Sequence, residues 1–152
     1  MDFFMEEPKV SLNGDTLTMV AKGATLTFLD KKVAVPDKPL VGTQWTARRI
    51  IDRKSVGWMQ MDKYPTLHFS TDGALTIFNG CNQVKGRFTA KRSVLTLTEM
   101  APTTMRLCAG ENVQRMVAHY AKVFVDGTLS YSIDANALNI ERGGDGVVAY
   151  TE

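Results

Sequence analysis

Four residues of this 152-residue chain belong to the types that most often do chemistry: Cys81, Cys108, His68 and His119. Cys81 lies in "FNGCNQVKGRF", Phe78 to Phe88, where Asn-Gly and Gly86 are turn signals. A cysteine there can be a nucleophile, a metal ligand, half of a disulfide or a small core residue. A nucleophile needs a base, and no histidine neighbours either cysteine in sequence. His68 alternates outward between Leu67 and Phe69, and His119 falls off the apolar stripe of the helix described below. Neither has a Cys, Asp or Glu partner at metal-ligand spacing. CxxC, HExxH, EF-hand, GxSxG, P-loop and GxGxxG patterns are all missing. The carboxylates are scattered in turns, where they cap and solvate. The chain therefore reads as a non-enzyme without a cofactor or metal site. For the two cysteines a pair of buried thiols and a disulfide both remain open. A disulfide would close a loop of about 28 residues, is worth ~3–4 kcal/mol by the chain-entropy estimate, and suits an oxidising compartment.

The elements that must position these residues are mostly strands. Apolar residues recur with period two and are cut by turn residues. Trp45 and Ala47 begin a strand that turns irregular at Ile50-Ile51, which reads as a bulge. "SVGWMQMDKYP" reads as a loop. Leu67 and Phe69, Leu75 and Ile77, Val84 and Phe88, and Leu95 and Leu97 mark the next strands. Leu129, Tyr131 and Ile133, then Leu138 and Ile140, then Val148 and Tyr150 mark the last. One segment differs. Val113, Met116, Val117, Tyr120, Ala121 and Phe124 recur at helical spacing, so 111–124 reads as one amphipathic helix. Glu111 and Lys122 sit at the ends the helix dipole favours. Short strands separated by turns, with one helix over an end or an open side, make a mainly β sandwich or barrel.

Composition fits one soluble globular class. Hydrophobic residues make up 44% and charged residues 22%. A net charge of +2 is too small to imply nucleic acid. The basic groups Arg48, Arg49, Arg53 and Lys54, and Lys85, Arg87, Lys91 and Arg92, read as solvated mixed-charge faces without interleaved aromatics. The start "MDFFMEEPKV" carries no apolar run of signal-peptide length, and no stretch approaches the ~20 residues of a membrane span.

The chain echoes itself. "VSLNGDTLTMVAKGATLTFL" (Val10 to Leu29) aligns without gaps on "YSIDANALNIERGGDGVVAY" (Tyr131 to Tyr150). Ser11, Leu17 and Gly23 meet Ser132, Leu138 and Gly144, and the order strand, turn, strand, Gly turn, strand is shared. Residues 1–36 accordingly read as the C-terminal hairpin remnant of a preceding repeat plus a linker, "DKKVAVPDKP", and 37–152 as one full repeat.

"LVGTQW" (Leu40 to Trp45), "PTLHFSTDGALTIFNGCNQVKGRF" (Pro65 to Phe88) and "LTLTEMAPTTMRLC" (Leu95 to Cys108), followed by a helix and "LSYSIDANALNIE", resemble the META domain, or HslJ-like, family. The structural motif carried by that resemblance is Gly80, Cys81, Asn82, Gly86, Thr104, Met105 and Cys108. Arg106 follows Met105, where the family often has arginine before methionine, so the resemblance assigns this arginine no role. It implies an antiparallel open barrel or meander, distantly lipocalin-like, with one helix. It further implies a bacterial cell envelope protein, periplasmic or lipid-anchored as a lipoprotein, in a stress-response setting, with no catalysis or cofactor. Tandem repeats of the domain also fit it. In that envelope setting Cys81 is expected beside Cys108, pinning the central hairpin to the segment entering the helix. Gly80 and Gly86 would allow a turn or close packing, and Asn82 would hold the corner. Two functions follow as expectations. The first is a protein-interacting or structural module whose partner is an unknown protein or a second META repeat. The alternative is a carrier of a small apolar ligand in the barrel interior, with Trp58 to Tyr64 as a lid.

Overall fold

A computed structural model describes residues 3–152, and the chain divides into two compact units, Met1–Asp37 and Lys38–Glu152. In the first unit a 3-10 turn, Phe3–Glu6, precedes three antiparallel strands in sequential order: β1 (Lys9–Asn13), β2 (Thr16–Ala21) and β3 (Ala24–Leu29). A short helix, α1 (Lys31–Ala34), follows, its first turn capped by the Asp30 carboxylate, which accepts from the Lys32 N–H at 2.7 Å. No residue of 3–37 is buried, so this unit holds no core of its own.

The second unit contains β4 (Gln44–Asp52), β5 (Ser55–Trp58), β6 (Thr66–Phe69), β7 (Ala74–Phe78), β8 (Gln83–Lys91), β9 (Val94–Pro102), α2 (Glu111–Val123), β10 (Gly127–Asp134), β11 (Ala137–Arg142) and β12 (Asp145–Tyr150). Neighbouring strands run β4-β6-β7-β8-β9-β10-β11-β12, all antiparallel, and β12 pairs back onto β4 from Gly146↔Ile51 to Tyr150↔Thr46. The expected open barrel is therefore a closed one of eight strands. Local alternation could not show this closure, because the joining ladder links residues far apart in sequence. β5 hangs on the C-terminal half of β4, so Ser55–Trp58 is a strand where a loop was expected. The irregularity in β4 falls at Arg48, opposite the Val148/Ala149 step, two residues before the position read from Ile50-Ile51.

Inward positions build the core. Trp45, Ala47, Leu67, Phe69, Leu75, Leu95, Leu138, Ile140, Val147 and Ala149 are fully buried. Phe69 meets Phe88 edge-on at 5.0 Å between centroids, an orientation aromatic pairs favour. α2 packs Met116, His119, Tyr120 and Val123 inward. The expected stripe is thus rotated. Ala121 is exposed, while His119 is buried because its Nε2 lies 2.8 Å from the Gly146 carbonyl oxygen.

The gapless alignment of Val10 on Tyr131 also maps backbone onto backbone. It superimposes the bounds of β2 on β11 and of β3 on β12. It carries the pair Lys9↔Val20 onto Ser130↔Glu141 and Thr16↔Leu29 onto Ala137↔Tyr150. The turn residues Gly14 (φ +55°) and Ala135 (φ +56°) correspond as well.

Candidate functional site

The "FNGCN" turn between β7 and β8 is closed by a residue that sequence reasoning passed over. Asn79, 5% exposed, accepts through Oδ1 from the N–H groups of Cys81 (3.2 Å) and Asn82 (2.8 Å). Its own N–H donates to the Asn82 carbonyl at 3.0 Å. This is a side chain substituting for backbone in a turn. Asn-Gly signalled the turn; the asparagine's buried role depends on contacts that the dipeptide does not encode. Gly80 has φ +95°, and a Cβ there would lie 2.5 Å from the Met61 methyl carbon. Only glycine takes this conformation without strain.

Cys81 and Cys108 are disulfide-bonded, with Cα atoms 5.9 Å apart. The bond ties the turn to the arm, residues 103–110, that runs from β9 to α2. Asn82 doubles this attachment. Its Oδ1 accepts from the Arg106 N–H (2.7 Å) and the Thr104 hydroxyl (3.0 Å), and its Nδ2 donates to the Arg106 carbonyl (3.1 Å). The Thr104 hydroxyl in turn accepts from the Gln83 N–H at 2.9 Å. Of the seven motif residues, Gly80, Cys81, Asn82, Thr104 and Cys108 converge in this cluster. Arg106 enters it through its main chain, not its guanidinium. Met105 does not join: it is 89% exposed, beside Leu107 at 99%.

Gly86 lies farther along β8, opposite a bulge at Glu99 (φ +60°). A Cβ there would overlap the Met100 sulfur and approach the Thr98 carbonyl oxygen to 2.9 Å. The two hairpin glycines therefore serve different needs, one a positive φ and the other a close approach.

The arm forms one wall of an apolar cleft of about 580 Å³. Ile77, Val84, Met100 and Pro102 line it from the barrel, and Val117, Tyr120, Ala121 and Phe124 from α2. Tyr120 is 2% exposed and its ring lies 5.1 Å from that of Phe124. Its hydroxyl is buried without a hydrogen-bond partner. Burial pushes the phenol pKa far up, so the group keeps its proton. A second, more polar cleft of about 520 Å³ follows the other flank of α2, past Arg115, His119 and Lys122.

The remaining sequence candidates have structural surroundings. Met59 is buried, and Met61 and Tyr64 pack against the core, so much of the stretch expected as a lid is part of the packing. The Arg48 guanidinium stacks 4.0 Å from the Tyr64 ring centroid, and Arg49 lies 4.9 Å from that of Trp58. Arg87 donates to the Asp72 carbonyl at 2.8 Å. Among the described residues no group of three or more His, Cys, Asp or Glu could hold a metal ion, and no helix is long and apolar enough to cross a membrane.

The META domain family model matches residues 38–152. An NMR structure of a protein from Burkholderia xenovorans is similar over 74% of this chain and 83% of its own, with a TM-score of 0.57 and 18% identity. A crystal structure of a lipocalin-like protein from Bacteroides uniformis is similar over 75% of this chain and 100% of its own, with a TM-score of 0.50 and 13% identity. At these identities the likeness is one of fold. No curated protein matches the chain.

Proposed function

Because the chain belongs to the META domain family, matched over 38–152, we propose that it is a non-catalytic binding module of the bacterial envelope that engages another protein through β1–β3. The observation that carries this reading is the shared register of β1–β3 and β10–β12. In the barrel, Leu138, Ile140, Val147 and Ala149 turn one face of β10–β12 to the core and are fully buried. Their counterparts Leu17, Met19, Leu26 and Phe28 give β1–β3 the same apolar face, and Phe28 is 47% exposed. Leu12, counterpart of the half-buried Ile133, is 73% exposed. A sheet face patterned for a core, of which Leu17, Met19 and Leu26 are only half-buried and Leu12 and Phe28 exposed, favours an interaction surface. Residues 1–36 are in this reading the closing hairpins of a preceding META-like repeat plus its linker. The partner that fits them is the rest of such a repeat, supplied by a second META-type domain. The disulfide suits an oxidising compartment, which supports the envelope setting.

The barrel's deep interior is filled by side chains, so the carrier reading lacks a central cavity there. The test of the protein-binding reading is site-specific photocrosslinking of the full chain exported in cells. Probes at Leu12 and Phe28 are expected to trap a META-type polypeptide that a probe at exposed Val94 does not, and Phe28→Asp should abolish the Leu12 crosslink. Equal labelling from all three positions, or none from Leu12 and Phe28, refutes the reading.

A further inference from the structure

β1–β3 share the register of β10–β12, and in the barrel both outer edges of β10–β12 are paired. β10 joins β9 from Gly127↔Leu97 to Ser130↔Val94, and β12 joins β4 from Gly146↔Ile51 to Tyr150↔Thr46. In the first unit β1 and β3 are the margins of the three-stranded sheet, and among the described residues no further strand pairs with either. The two margins differ. The counterparts of Gly127 to Ser130 are Glu6 to Lys9. Glu6 lies in the 3-10 turn, Glu7 has φ +49° and Pro8 has no N–H, so a β9-type ladder cannot form there. Proline and lysine at a sheet margin are devices that keep other chains off it. β3, "ATLTFL", has no proline, no glycine and no charge, and every residue in it except Leu26 is exposed.

The open margin also presents the right backbone groups. The Asp30 N–H donates to the Asp15 carbonyl at 2.7 Å, as the Thr151 N–H does to the Asn136 carbonyl at 3.0 Å. Backbone groups of an antiparallel strand face alternate sides. Those of Thr25, Thr27 and Leu29 therefore point away from β2, as those of Gly146, Val148 and Tyr150 point to β4. We infer that the outer edge of β3 accepts an extended strand of β4 type from the partner, antiparallel and in the β12–β4 register. This rests on the reading of β1–β3 as a partner-binding surface, and adds to it the edge, the direction and the register. Leu29 then lies opposite the Thr46 position of the incoming strand, Thr27 opposite Arg49 and Thr25 opposite Ile51. Leu26 and Phe28 meet apolar residues at the Ile50 and Ala47 positions, which extends the apolar face by one strand. Main-chain bonds supply the attachment and the alternating side chains the selection, as in other strand additions.

The probe is a synthetic peptide with the sequence of β4, Gln44–Asp52, blocked at both ends and carrying a benzophenone side chain at the Arg49 position. It is irradiated with the full-length oxidised chain and the label is mapped by mass spectrometry. In the wild type the label is expected on Thr27 and its immediate neighbours. Thr27→Pro removes an outward N–H without breaking a bond to β2, and should lower the labelling roughly tenfold, the upper size of one lost hydrogen bond. Amide exchange at Leu26 and Phe28 at the wild-type rate checks that β2 still holds β3 in that variant. Val10→Pro is the matched control on β1, because its counterpart, the Tyr131 N–H, donates outward to the Ser93 carbonyl at 2.9 Å; it should leave the labelling unchanged. Label concentrated on β1 or on the barrel unit, or labelling that survives Thr27→Pro, overturns the inference. Labelling that survives Thr27→Pro but is lost in Phe28→Asp means that the apolar face binds without strand addition, so the interaction surface stands and its edge register falls. Absence of label also overturns the inference, and the Leu12 and Phe28 crosslinks in cells then report separately on the surface. A dimer joined β3 to β3 that excludes the peptide assigns the edge to a second copy of this chain and overturns it too.

Discussion

Replacing both cysteines with alanine, Cys81→Ala with Cys108→Ala, should lower the stability of the barrel unit by about 3.6 kcal/mol. The figure follows from the 27-residue separation of the bonded pair. In the chain-entropy model a loop of that length removes about 12 cal/mol/K from the unfolded ensemble, which is ~3.6 kcal/mol at 25 °C, or roughly 400-fold in the folding constant. The native side should change little. Asn82 still holds the arm through the Arg106 N–H, the Arg106 carbonyl and the Thr104 hydroxyl. Neither sulfur belongs to the hydrophobic core, so the cavity cost is small. The effect therefore lies in the unfolded chain, and the expected signature has two parts. Urea unfolding, followed by the fluorescence of buried Trp45, should shift to a lower midpoint. The slope m should rise, because an uncrosslinked chain exposes more surface on unfolding. A stability loss under about 1 kcal/mol with unchanged m would refute the reasoning, since it would mean that the loop constrains nothing in the unfolded state.

Two further predictions concern the ends of the molecule and its pH response. Deleting Met1 to Pro36 should leave one cooperative unfolding transition and shift its free energy by less than about 0.5 kcal/mol, because every core residue lies beyond Asp37; a broad transition on calorimetry would contradict this. Asp145 accepts from the Arg53 N–H at 3.0 Å, and that bond holds its carboxyl below the usual carboxylate value of 3.8. A depressed native pKa stabilises above the unfolded value and loses that contribution as pH falls through the native one. Asp145→Asn should therefore be the less stable protein at pH 6, with the gap to wild type closing as pH falls below the usual carboxylate range; a gap that stays constant as urea titrations are carried from neutral to strongly acidic pH would sink the assignment.

The strand sequence of the barrel was legible because alternation is local: Leu67 and Phe69, Leu75 and Ile77, Leu95 and Leu97 all face the core as their spacing implies. Closure was not legible, because no local pattern in Thr46 or Tyr150 encodes that they pair. β5 was missed for a related reason. Ser55–Trp58 is exposed on β4 and carries no alternation, so its pairing rests on backbone alone. The helix was read at the right place but turned too far toward Ala121, because His119 counts as polar in a pattern yet satisfies its ring against Gly146. In the candidate site, the disulfide and the Asn82 corner came from a family resemblance. Asn79 and the Tyr120 hydroxyl did not, since the importance of each depends on what surrounds it in space.

The β12–β4 ladder also sets the order in which the barrel can be finished. Until β12 arrives, β4 offers an unpaired inner edge and β11 another, the kind of open strand that recruits other chains. The ladder joins residues about a hundred positions apart, so its loop-closure cost falls late and slows folding relative to the sequential hairpins. The intermediate with an unsealed seam is then the species most exposed to aggregation or to a holding chaperone. The final pairing, five residues of β12 on β4, converts a curled sheet with two sticky margins into a closed wall of eight strands.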